Sequence, residues 1–107
     1  MNFSEKVIAL EQEIKDYILT KLKDGEKIEL ISEENCEDDW LLTELPQVSC
    51  ENRYDEIVRY SIVAVERIGE SIHFHGKALG ENFGESGFFS CYVLSVNELS
   101  FIADYLK

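Results

Sequence analysis

Positive charge is scarce in this chain. Ten Lys and Arg stand against 22 Asp and Glu, a formal net charge of −12 over 107 residues. A field of that sign repels nucleic-acid phosphates and anionic membranes and favours basic proteins as partners. Direct nucleic-acid binding and membrane association are therefore not expected. Long apolar runs are missing as well, and none approaches the ~18 residues of a membrane span. Glu5 and Lys6 interrupt the apolar residues at the start, so the first 20 residues read as amphipathic rather than as a signal peptide. The three cysteines, Cys36, Cys50 and Cys91, are odd in number and form no CxxC pair. A disulfide framework is not expected, and a reducing cytoplasm is the simpler setting. Proline is represented by Pro46 alone, which breaks whatever Trp40, Leu41, Leu42 and Leu45 form.

Enough remains for a core. The chain is 45% hydrophobic and 11% aromatic, and one domain of this length buries roughly two-thirds of its unfolded surface. The stretch from Glu56 to Leu79 organises it. EIVRYSIVAVERI is dense in β-branched and aromatic residues, and SIHFHGKAL alternates Ile72, Phe74, Gly76 and Ala78 with Ser71, His73, His75 and Lys77. The Gly69-Glu70 break between them reads as a two-residue hairpin turn. That turn sets Ile68 opposite Ser71, Glu66 opposite His73, Val65 opposite Phe74 and Val63 opposite Gly76. Val63, Val65, Ile72, Phe74 and Ala78 then share one face, with Tyr60, Ile62, Glu66, His73, His75 and Lys77 on the other.

Helical periodicity frames this hairpin. Phe3, Val7, Leu10, Ile14 and Tyr17, extended by Ile18 and Leu22, form one apolar stripe over residues 3–24, and packing on the sheet is its expected use. Asn2 or Ser4 can cap its start, with Glu5 completing a capping box from Asn2, and Gly25 stands where a helix stops. At the other end Val96, Leu99, Ile102, Ala103 and Leu106 form a second stripe, and Ser95 and Glu98 are spaced as a capping box. Ile28 and Leu30 mark a short strand over Lys27–Ser32, and residues 47–55 read as a connection. Gly80–Gly87 reads as a loop, and Phe88–Leu94, apolar on both sides, as a central strand. The expected fold is α+β: an antiparallel meander of three or four strands, with N- and C-terminal helices on one face.

Four groups of residues invite a chemical reading. His73 and His75 share a strand face, and Glu66 is the one candidate third metal ligand; a metal site needs three or four, and a solvated face with a Glu66–His73 pair is the expected outcome. Gly80, Gly84 and Gly87 match no phosphate-loop spacing, and Glu81 and Glu85 would repel phosphate. No cysteine sits in an activating motif, and Cys91 is expected in the core, where thiols are inert. The fourth group is Glu33, Glu34, Glu37, Asp38 and Asp39, five like charges within seven residues, followed by Trp40. These acids read as a solvated loop. With Trp40 exposed beside them they read as a recognition surface for a basic protein, since aromatics anchor interfaces.

The expected function is a non-enzymatic interaction module for a basic protein surface, of the inhibitor, immunity or mimic type, with no cofactor. The alternatives are a structural or oligomeric accessory domain, and a small metal-binding or hydrolytic protein using His73 and His75.

Overall fold

The structure, a computed structural model, describes residues 2–32, 39–80 and 85–107, with the backbone alone at 39 and 40. The chain belongs to the α+β class, with an antiparallel sheet between terminal helices. Helix α1 spans Phe3–Lys21. Its start is a capping box: Asn2 Oδ1 accepts from the Glu5 amide at 2.9 Å, and Glu5 Oε2 accepts from the Asn2 amide at 3.3 Å. Its end is closed by a residue from far along the chain. Arg67 Nη1 donates to the Leu19 and Leu22 carbonyls, both at 2.8 Å, and its Nε donates to the Gly69 carbonyl at 2.7 Å. A cation on orphaned C-terminal carbonyls satisfies them and opposes the helix dipole. Packing of α1 starts lower than its stripe predicts. Ile18 and Leu22 are buried and Ile14 packs on the core, while Phe3, Val7 and Leu10 stay exposed.

The strands are β1 (Lys27–Glu29), β2 (Gln47–Glu51), β3 (Ile57–Ile68), β4 (Ser71–Ala78) and β5 (Ser86–Ser90). The order is β1-β3-β4-β5, and β2 also pairs β3. β1 faces residues 64–66 of β3 and β2 faces residues 57–61, so the two lie end to end along the edge that β4 leaves open. The segment expected to be a connection therefore supplies a strand at 47–51. Val48 and Cys50 turn inward while Ser49 and Glu51 remain exposed, and so polar an alternation gives a weak strand signal.

The β3–β4 hairpin keeps the expected register only near its turn. Ile68 faces Ser71, Glu66 faces His73 and Val65 faces Phe74. A bulge then intervenes, so that Ile62, rather than Val63, stands opposite Gly76. An extra residue in one strand inverts the alternation beyond it. Tyr60 and Ile62, expected on the outer face, consequently join Val65, Ile72, Phe74 and Ala78 on the core face, and all six are buried. A Cβ on Gly76 would lie 2.9 Å from the Tyr60 Cβ, so the tyrosine packs directly over that glycine.

The last strand also departs from expectation. β5 ends at Ser90, and Cys91–Val93 form a single 3-10 turn in place of a strand running to Leu94. The Ser90 hydroxyl accepts from the Tyr92 amide at 3.3 Å, removing a donor that a ladder would need. Among the described residues β5 pairs β4 alone, which makes it an edge strand there rather than a central one. Helix α3 (Val96–Tyr105) buries Leu99 and Ile102 against the same core as α1. Ser95 occupies the N-cap position with extended backbone, but its side chain makes no cap hydrogen bond, contrary to the capping box expected there. Glu98, the other half of that box, keeps Oε2 buried without a partner. A one-turn helix, α2 (Asp39–Leu42), meets the opposite face of the sheet. There the buried Ser61 hydroxyl donates to the Leu42 carbonyl at 2.6 Å.

Candidate functional site

The histidine face comes directly from the β4 alternation. His73 and His75 project away from Phe74, and Glu66 arrives from β3. The expected Glu66–His73 pair does not form. Glu66 Oε1 lies 3.0 Å from Nε2 of His75, the diagonal neighbour. His73 instead stacks on Phe88, 4.9 Å between centroids and 9° between planes, and His75 tilts against the same ring at 4.8 Å. The Phe88 ring thus packs against both imidazoles. Among the described residues no group of three or more His, Cys, Asp or Glu converges in the manner of metal ligands.

The thiols of Cys50 and Cys91 are poor nucleophiles. Burial pushes the Cys91 thiol up to about 12, partly opposed by the Lys15 charge, and burial also raises Cys50. A nucleophilic cysteine needs the reverse shift. Cys36 lies outside the described residues, as do Glu33, Glu34, Glu37 and Asp38 of the acidic run and residues 81–84 of the glycine-rich run. Asp39 and Trp40 begin α2, and their side chains are likewise outside the described part.

A concave feature of the described surface lies elsewhere. A cleft of about 540 Å³ opens between the β2–β3 turn, residues 51–54, and the start of β5, residues 85–89, with Tyr60 between them. Asn52 shapes the turn: its Oδ1 accepts from the Tyr54 amide at 2.8 Å and the Glu56 amide at 3.1 Å, and Asp55 takes φ +60°. An Asx turn of this kind lets the backbone reverse without a glycine. Tyr54 is left 63% exposed on the rim, with the Arg53 guanidinium 5.0 Å over its ring. On the far wall Phe89 packs against Tyr60 at 5.0 Å and Phe74 at 5.1 Å, which fixes it to the core. The Tyr60 hydroxyl donates to Glu85 Oε1 at 3.2 Å. Burial first, then that hydrogen bond and the Glu85 charge, hold the Tyr60 phenol above its ordinary value. The cleft can therefore offer carboxylates and aromatic faces to a ligand, and it holds no activated nucleophile among the described residues.

Sequence reasoning did not find this cleft. One usable signal lay in Asn52 and Asp55, turn formers placed between Cys50 and the apolar run from Ile57. Among the described residues, no helix is long and apolar enough to cross a membrane. No protein-family model, curated protein or solved structure matches the chain.

Proposed function

We propose that the protein is a non-enzymatic interaction module that binds a basic protein surface, acting as an inhibitor, an immunity protein or a mimic. The observation that carries this reading is where the few cations go. Lys6, Lys15, Lys21 and Arg53 sit over the rings of Phe3, Tyr92, Tyr17 and Tyr54, and Arg67 is engaged by backbone carbonyls. Two ion pairs occur among the described residues, Glu66–His75 and Asp104–Lys107. Among the described residues most carboxylates are thus left without a cationic partner, in a chain of 22 acids and 10 bases, and are available to a basic surface. Rim carboxylates of this kind raise association rates and make them salt-dependent. In this reading Glu33, Glu34, Glu37, Asp38 and Asp39 steer the partner and Trp40 supplies a desolvated anchor. A cytoplasmic setting belongs to the same reading, and the free thiols of Cys50 and Cys91 support it.

Affinity capture from native lysate at low and high salt tests the proposal. A cationic protein retained at low salt and released at high salt is the expected result. Neutralising Glu37, Asp38 and Asp39 together should slow its association about tenfold at low salt and flatten the salt dependence. Capture of no basic protein, or binding indifferent to salt and to these changes, would refute the reading.

A further inference from the structure

The cleft between the β2–β3 turn and β5 carries chemistry specific enough to name what it takes. Its volume of about 540 Å³ falls inside the range of ligand pockets, roughly 300–1,000 Å³. Two acidic residues, Glu51 and Glu85, line it together with Tyr54 and Phe89. An anion would meet both carboxylates and a chain of net charge −12. A purely apolar group would desolvate those carboxylates without pairing them. A planar cation satisfies both features at once, because a guanidinium stacks flat on aromatic rings and meets a carboxylate through a two-pronged fork. The site already shows half of this contact within the chain, in the Arg53 guanidinium held over Tyr54.

We infer that this cleft is a docking pocket for an arginine side chain presented by a protein partner. The inference rests on the basic-partner reading above and specifies the group that the partner inserts. The walls are set before the ligand arrives. Asn52 fixes the turn through two amide hydrogen bonds, the buried Tyr60 hydroxyl holds Glu85, and Phe89 is locked between Tyr60 and Phe74. Such preorganisation lowers the ordering cost of binding. Gly87 contributes by having no side chain: a Cβ there would fall 2.2 Å from the Phe89 ring. Arg53 is the internal competitor, since its charge sits on the ring that the incoming arginine needs.

The test titrates the full chain with acetyl-Gly-Arg-Gly-amide, following aromatic resonances by NMR, with the lysine and citrulline tripeptides in parallel. Saturable shifts at Tyr54 and Phe89 are expected, with a Kd of about 0.1–1 mM for so small a ligand. Lysine should bind several-fold more weakly, and citrulline, planar but uncharged, should not saturate. Tyr54→Ala, Glu51→Gln and Glu85→Gln should each weaken binding roughly three- to tenfold, and Arg53→Ala should strengthen it. Tyr54 and Glu51 are exposed, so their variants keep the fold. The inference is overturned by shifts that do not saturate by about 10 mM, by equal binding of citrulline, or by indifference to all three weakening variants. The tripeptide does not depend on the partner. A basic protein captured by a chain that ignores the tripeptide therefore refutes the pocket and leaves the basic-partner reading intact. Tripeptide bound with no basic protein captured does the reverse.

Discussion

Replacing Arg67 by methionine should destabilise the fold far more than its half-exposed position suggests. The side chain makes three charge-assisted hydrogen bonds at 2.7–2.8 Å, two to the end of α1 and one to the β3–β4 turn. Bonds to charged groups contribute about 1.5–3 kcal/mol each where water cannot replace them. Arg67 is only partly buried, so about 1 kcal/mol per bond is the better figure here, or roughly 3 kcal/mol in total. Methionine keeps most of the stem's packing and removes all three donors together with the charge. Urea denaturation is the assay: with an m-value of roughly 1.5 kcal/mol/M, the midpoint should fall by about 2 M. Arg67→Lys retains the charge near the helix end but loses the fork, and its loss should be about half as large. A midpoint shift below about 0.3 M for Arg67→Met, corresponding to less than 0.5 kcal/mol, would refute this account of how α1 is tied to the hairpin.

Three further outcomes follow from side chains already described. Ser95→Ala should change stability by less than about 0.5 kcal/mol, not the ~1 kcal/mol of a working cap, because the Ser95 hydroxyl makes no cap bond; a midpoint lowered by a full cap's worth would show that the bond forms in solution. Cys91 should resist alkylation in the native protein at pH 8 and react on unfolding, as followed by mass spectrometry. The same shift sets a pH dependence. The folded thiol stays neutral up to about 12, above the ordinary thiol value near 8.5. The associated stability is complete below that ordinary value and is lost as pH rises toward 12. A Cys91→Ala variant should show a flatter alkaline decline, and identical alkaline profiles would count against it.

The change of period, from 3.6 to 2 and back, makes both terminal helices, the central hairpin and its turn legible in the sequence. Asn2 and Glu5 gave the first cap correctly because capping is a local matter. Two failures were local, the Ser95 cap that does not form and the strand that Ser90 ends early; the others depended on partners distant in sequence. The bulge between Ile62 and Ala64 arises within an unbroken β-branched run, where nothing local marks which residue drops out of register. β2 escaped notice because Gln47, Ser49 and Glu51 look like loop residues until β3 is placed beside them. The cleft was hidden for the same reason: Glu51 and Tyr54 meet Glu85 and Phe89 only through the sheet order. His73 and Glu66 were correctly set opposite each other, yet the carboxylate went to His75 while Phe88 took the His73 face.

β1 and β2 dock end to end on β3, and the places where the chain leaves and rejoins that edge are neighbours. The Leu30 amide donates to the Val63 carbonyl at 2.8 Å, and the Ile62 amide donates to the Pro46 carbonyl at 2.9 Å. Leu30 and Pro46 are thus stitched to consecutive residues of one strand. Lengthening the chain between them raises closure entropy only logarithmically, about 0.6 kcal/mol per doubling. A change of length between those two stitches need not disturb the sheet, provided Leu42 keeps its buried place and its carbonyl keeps the Ser61 hydroxyl.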